Sequence, residues 1–227
     1  MTEAAALRAF YLGRVSYGRA FELQNKLRQQ IIAGGPETIL LLEHDPVITL
    51  GYSQQCDESL LRTPQQLTER GIELVQSDRG GKTTYHGPGQ LVGYLLLDLG
   101  RRRLALKNLV GFIESSLIDL LLSYSIRSGI REGMHGVWIG DEKIGFIGLN
   151  VQHGVTTHGF ALNLNNELRP FDYFAPCGIE DAKVTSLKRI TGEELCLPEV
   201  SRRFIDYFGE TSGISAQIES ADALELP

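Results

Sequence analysis

Arg79-Gly80-Gly81-Lys82-Thr83-Thr84-Tyr85-His86-Gly87-Pro88-Gly89-Gln90 lies between two stretches that read as strands, Ile72 to Ser77 and Leu91 to Leu99, and its reading decides the fold. Four of its twelve residues are glycine, so backbone N–H groups can approach a ligand with no Cβ in the way. Gly81-Lys82-Thr83 has the ending of a phosphate-binding P-loop. That motif also needs a glycine five positions before Gly81, where Gln76 stands, and a helix after it, where a strand follows. A nucleotide P-loop fold is therefore rejected. A strand–loop–strand connection remains, either a plain Gly-rich turn or a binding loop, and Arg79, Tyr85 and His86 on so open a frame favour binding.

Outward from this block the elements are mixed. Tyr17 to Ala33 reads as an amphipathic helix, with Ala20, Leu23, Leu27 and Ile31 at helical spacing, Ser16 as N-cap and Gly34-Gly35-Pro36 as its stop. Thr38 to Leu50 contains Ile39-Leu40-Leu41-Leu42, the pattern of a strand buried on both faces. Leu106, Leu109, Val110, Ile113, Leu117, Leu120, Leu121 and Tyr124 mark the strongest helix. Val137-Trp138-Ile139 and Ile144 to Val151 flank a hairpin loop at Gly140-Asp141-Glu142, and after a turn at His153-Gly154 a further strand covers Gly159 to Leu162. Glu199 to Phe208 reads as a last helix, with Pro198 near its first turn. The expectation is α/β (α+β): a single domain over residues 1–210, a mixed β-sheet flanked by helices, then a loose C-terminal tail at 211–227.

Composition excludes several function classes. Of 227 residues 42% are hydrophobic and 22% charged, too apolar for a disordered chain. The net charge of −6 argues against a general nucleic-acid binder. No run reaches the ~18 apolar residues of a membrane span, and Met1 to Phe10 is no secretory signal. Three cysteines without a CxxC pair make neither a disulfide framework nor a zinc ribbon. The expectation is a soluble protein of a reducing compartment, the cytoplasm, with no nucleic-acid or membrane partner.

Two residues outside the glycine block could carry chemistry. Cys177 sits in Pro176-Cys177-Gly178; a lone cysteine is usually a small buried hydrophobe, the reading given to Cys56 and Cys196. At Cys177 the neighbouring Pro and Gly also suit a thiolate nucleophile with backbone N–H groups nearby. Lys143 follows the Gly140 turn; the ordinary reading is a solvated strand-edge lysine, and the alternative is an amine turned into a pocket as a base. His44, His86, His135, His153 and His158 have no metal-ligand spacing and read as hydrogen-bonding structural residues. Arg101-Arg102-Arg103 is either a solvated loop or a dock for an acidic partner.

At these residues the chain resembles the lipoyl(octanoyl) transferases, from Leu40 to about Leu187. The most specific stretch is Arg79 to Gln90. Glu43-His44-Asp45-Pro46-Val47, Gly136-Val137-Trp138, Lys143-Ile144 with Ile147-Gly148, His158 to Asn163 and Pro176-Cys177-Gly178-Ile179 follow the same pattern in order. The resemblance implies a domain similar to the biotin and lipoate ligase catalytic domains, and the first step of protein lipoylation. In that step an octanoyl group moves from octanoyl-acyl carrier protein to a lysine of a lipoyl domain, in 2-oxoacid dehydrogenase complexes or the glycine cleavage H protein. It implies Cys177 as the thioester-forming nucleophile and Lys143 as the partner that lowers the thiol pKa. Arg79, Gly80, Gly81, Lys82, Thr83, Thr84, Tyr85 and His86 then form the substrate loop, and Phe146, Ile147, Gly148, Gly159, Phe160 and Ala161 line the acyl site. No cofactor and no metal are implied. Phe146 departs from the small residue many members carry there. The alternatives are an ATP-dependent lipoate or biotin ligase and a non-catalytic carrier-binding module.

Overall fold

The computed structural model describes residues 6–52, 59–175 and 183–224. Its strands are β1 (Leu7–Val15), β2 (Thr38–His44), β3 (Val47–Leu50), β4 (Glu73–Gln76), β5 (Thr84–His86), β6 (Gln90–Leu96), β7 (Gly129–Arg131), β8 (Met134–Ile139), β9 (Glu142–Gln152), β10 (Val155–Asn163) and β11 (Ala216–Glu219). The helices are α1 (Tyr17–Ile32), α2 (Pro64–Thr68), α3 (Leu99–Arg102), α4 (Leu106–Leu122), α5 (Leu187–Thr191) and α6 (Leu197–Ser212). Eight strands form a mixed sheet in the order β11-β1-β2-β6-β10-β9-β8-β7, and β4-β3-β5 form a second, small sheet.

The apolar run on β2 shows why the large sheet is covered on both faces. Ile39 and Leu41 enter the core under α4 and α6, while Leu40 and Leu42 enter the core under α1. Successive side chains of a strand point to opposite faces, so only a strand roofed on both sides can be apolar throughout. The expected single strand from Thr38 to Leu50 is in fact two. Pro46 has no N–H to give a ladder, and the chain leaves the large sheet there. Val47–Leu50 then pairs with β4 and β5.

Arg101-Arg102-Arg103 is largely structural. Arg101 donates to the carbonyls of Ile31 and Gly35, closing the C-terminus of α1. Arg102 forms a 2.6 Å ion pair with Glu37, both side chains buried. The loose tail expected from residue 211 is corrected for the described part of that stretch. α6 continues to Ser212, and β11 pairs in parallel with β1. Arg8 grips Glu219 through two hydrogen bonds of 2.9 and 2.8 Å, and Leu224 is buried. Ile214, Ala216 and Leu224 supply the apolar contacts that a Ser- and acid-rich composition hides. Among the described residues no helix is long and apolar enough to cross a membrane. Cys196, expected to be buried, is exposed before α6, and Cys56 lies outside the described residues.

Candidate active site

Two irregular positions on β9 and β10 build one cleft. Their regular register sets Phe146 beside Ala161 and Val92, and Gly148 beside Gly159 and Tyr94, in successive cross-strand rows. At the start of β9 Gly145 pairs with Val137 but Lys143 pairs with Trp138, so Ile144 is an extra residue, a bulge. Ile144 drops into the core under α4, and Lys143 comes round to the same side as Phe146. At the other end His158 pairs with Leu149, whose side chain packs on the α4/α6 core. Plain alternation would send His158 there too. Its φ of +58° instead turns the imidazole towards Tyr94 and Phe21, on the cleft side. A left-handed non-glycine residue is strained, and such strain gathers at functional sites.

Lys143 is buried, 6% exposed. Its Nζ donates to the His135 carbonyl at 2.8 Å and stands 5.2 Å from the Trp138 ring centre and 5.1 Å from that of Phe146. Of the two readings, the solvated edge lysine gives way to the amine turned inward, here beside two rings. Lys143 N donates to Lys183 O at 2.8 Å and Thr185 N donates to Lys143 O at 3.0 Å. Ala175 N donates to Ser59 O, and Ser59 Oγ meets Thr83 Oγ1 at 2.6 Å. The chain therefore leaves Ala175 beside the glycine loop and returns at Lys183 beside Lys143. Cys177, with the rest of residues 176–182, lies outside the described residues.

Gly136 is needed beneath the amine. At φ +116° a Cβ there would overlap Gly145 O and come within 2.8 Å of Lys143 Cε. Its N–H donates to the buried Glu114 carboxylate at 2.9 Å. Gly136→Ala is expected to lower the melting temperature and to reduce activity more than that instability explains, because it pushes directly on the lysine stem. Wild-type turnover in a folded Gly136→Ala protein would contradict this.

The glycine block lies backbone to backbone on its neighbours. Gly80 N donates to Leu149 O at 3.0 Å, and a Cβ on Gly51 would overlap Gly81 O. Arg79 is buried and braces the loop on β3, with Nε to Thr49 Oγ1 at 3.0 Å and Nη2 to Thr49 O at 2.7 Å. Arg79, Gly81, Lys82, Thr83, Thr84, His86, Lys143, Phe146, Ile147, Gly148, Gly159, Phe160 and Ala161 all line the cleft, which encloses about 570 Å³ of empty space counting its open mouth. Gly80 and Tyr85 do not. Gly80 lies against β9, and strand alternation sends the Tyr85 ring to Phe171, 5.6 Å away and nearly perpendicular. Phe160 packs its ring on Phe204 at 4.4 Å and Ile147 packs on the same helical core, so their side chains serve the far face of the sheet.

The cleft has a wall that motif reading missed. Tyr17, Tyr94 and His158 line it together with His86, and His44 stands behind. Tyr17 Oη donates to Ser77 Oγ at 2.7 Å. His44 Nδ1 faces Val15 O at 2.7 Å and so carries the proton, leaving Nε2 to accept the Tyr94 hydroxyl at 2.6 Å. His86 Nδ1 donates to Gln90 Oε1 at 2.8 Å, because the Gln90 amide nitrogen is spent on Tyr85 O and Asn163 Oδ1. His158 Nε2 donates to Asp78 Oδ1 at 2.7 Å, and that bond holds the Asp78 carboxyl below its usual range. The available signals were weak: Tyr17 reads as a helix residue, Tyr94 as one of a buried run, and His158 as part of a strand motif.

Burial pushes the His44 imidazole down to about 4, His86 well below its ordinary value, and His158 down despite the opposing pull of Asp78. All three are neutral near pH 7, so His158–Asp78 is a hydrogen bond to a carboxylate and not an ion pair. Above about pH 6.5 the imidazoles are neutral folded or unfolded and contribute no pH dependence. As pH falls below that value the unfolded chain takes up protons that the folded chain refuses, and stability declines. For His44 alone the loss approaches about 3 kcal/mol near pH 4. Thermal melts from about pH 7 to about pH 5 are expected to show a falling midpoint; a flat profile would contradict buried neutral imidazoles. Among the described residues no cluster of three His, Cys, Asp or Glu side chains is arranged to hold a metal ion.

The family described as the lipoyl protein ligase A/B catalytic domain matches residues 16–209. An octanoyltransferase of Chloroflexus aurantiacus is 40% identical over 218 residues, covering 94% of this chain and 97% of its own. Among solved structures, lipoate-protein ligase A bound with ATP aligns with a TM-score of 0.79 at 15% identity, covering 95% of this chain and 89% of that one. The biotin protein ligase of Aquifex aeolicus aligns at 0.54 and 14% identity, covering 91% and 69%. The two structural likenesses establish the expected fold.

Proposed function

The chain belongs to the lipoyl protein ligase A/B catalytic-domain family, and from this membership we infer an octanoyltransferase that works through Cys177 and Lys143. The relatives that span nearly the whole chain are octanoyltransferases, and the chain is an acyltransferase of that kind, moving octanoyl groups in protein lipoylation. Its partners are an acyl carrier as donor and a lipoyl domain as acceptor. The finer assignment takes octanoyl-acyl carrier protein as donor and the lipoyl domains of 2-oxoacid dehydrogenase complexes and the glycine cleavage H protein as acceptors. Its seat is a reducing compartment, the cytoplasm, since the reaction needs Cys177 as a free thiol. Residues 1–210 carry the catalytic role in this reading.

The observation that carries it is the buried Lys143 amine in a cleft lined by aromatic rings and the glycine-rich loop. The Cys177 thiol gives its proton to Lys143, and the thiolate attacks the carrier thioester. The carrier's sulfur leaves and takes a proton back from Lys143, and Cys177 holds the octanoyl group as a thioester. One thioester replaces another, so this half is close to energetically neutral. The acceptor amine then attacks, loses its proton to Lys143, and Cys177 departs as the thiolate; an amide replaces a thioester, which is downhill. No nucleotide enters the balance. The apolar cleft adds about 0.8 kcal/mol of affinity for each buried CH₂ of the chain.

The fold likeness to an ATP-bound ligase favours one competing reading, an acyl-adenylate ligase. Omitting ATP separates the two. Transfer from octanoyl-carrier to a lipoyl domain is expected at full rate without nucleotide, and strict ATP dependence would overturn the proposal. A carrier-binding module resting on Arg101-Arg102-Arg103 is disfavoured, since Arg101 and Arg102 are engaged within the fold.

A further inference from the structure

We propose that the interlocked rings at the inner end of the cleft measure the acyl chain, whose terminal methyl stops against Tyr17, Tyr94, His86 and His158. This rests on the octanoyl-transfer reading and adds to it the residues that fix chain length.

The sheet register sets the order of features along the cleft floor. From Lys143 the floor runs past the row of Phe146 and Ala161, then past the row of Gly148 and Gly159, which lies level with Tyr94. Lys143 Nζ stands 5.1 Å from the Phe146 ring centre, and Phe146 and Gly148 are two residues, about 7 Å of strand, apart. A chain whose carbonyl lies near the Lys143 amine therefore passes Phe146 and Ala161 and comes level with the glycine row, where Gly80 O already covers Gly148. The next obstacle is the ring wall. Phe146 is stacked on Phe171 at 5.3 Å and 15°, which fixes its ring beside this path.

The wall is built not to yield. Tyr17 stands 5.4 Å from His44 and 6.4 Å from His86, His44 stands 5.6 Å from His86 and 5.8 Å from Tyr94, and Tyr94 stands 5.8 Å from His158. Each ring has a polar atom tied to an interior partner: Ser77, His44, Gln90 or Asp78. Moving any of them aside would break a buried hydrogen bond and force its neighbours off their packing. A methylene within the cleft gains roughly fourfold in affinity, and one pressed against this wall gains nothing and strains it. The expected length profile is a rise followed by a step, not a gradual decline.

The test is competitive acylation of the enzyme by carrier-linked chains from six to fourteen carbons, read by intact mass. Wild type is expected to drop at least tenfold beyond its cut-off. Tyr17→Leu, which keeps an apolar side chain but removes the ring, is expected to move the cut-off outward by two carbons or more; Tyr17→Phe, which keeps the ring, leaves it in place. A wild-type profile without a step overturns the proposal, whether or not Tyr17→Leu folds. So does a folded Tyr17→Leu protein with an unmoved cut-off. Adducts at every length without a step remove the ruler alone; no adduct at any length removes the transfer reading and the ruler with it.

Discussion

Cys177→Ser is expected to form no octanoyl adduct and to lose transfer by on the order of 10³-fold or more. A thiol ionises near pH 8.5, within reach of a neighbouring amine, whereas a serine hydroxyl does not ionise near neutral pH and needs a general base throughout. A serine ester, should it form, is also a poorer acyl donor to an amine than a thioester. Incubation with octanoyl-carrier followed by intact-mass measurement checks both halves. Wild type should gain one octanoyl group and return to its free mass when a lipoyl domain is added. Normal turnover by Cys177→Ser would refute covalent catalysis at this position.

Lys143→Ala is expected to fold, to lose about 1 kcal/mol with the bond to His135 O, and to lose transfer by about 10² to 10⁴-fold. The pH profile separates a catalytic from a packing role. Without the amine, acylation of Cys177 depends on the thiol ionising unaided, so the rate should climb with pH towards about 8.5 and partly recover. A lysine that only filled space between Trp138 and Phe146 would give a uniform deficit at every pH. Lys143→Met, which keeps the stem and loses the charge, should behave as Lys143→Ala does.

Much of this was legible in the residues, for identifiable physical reasons. Ile39 to Leu42 has the pattern of a strand roofed on both faces and the spacing from Leu106 to Tyr124 is that of a buried helix face, and both elements form. The glycine loop, Lys143 and the β9 and β10 segments were found because each combines a turn or strand signal with an unusual residue. What failed followed from long-range pairing. The strand at Ala216–Glu219 exists because β1 offers it an edge, a fact no local composition carries. Tyr85 was grouped with its neighbours, yet a period of two turns it to the opposite side from Thr84 and His86. Phe160 and Ile147 do line the cleft, as the motif implies, while their side chains also pack on the helical core. Tyr17, Tyr94 and His158 come from a helix start, a strand centre and a left-handed residue, and only the folded chain gathers them. The Lys143 bulge and the His158 kink are departures from regular strand geometry, so periodicity alone could not have put both on one face.

The separation between Cys177 Sγ and Lys143 Nζ tests the central claim most directly. A crystal structure that resolves residues 176–182 is predicted to show them within about 3 to 4 Å, the reach of a proton transfer. A sulfur held on the opposite face of the sheet from the amine, in both the free and the octanoylated protein, would contradict it.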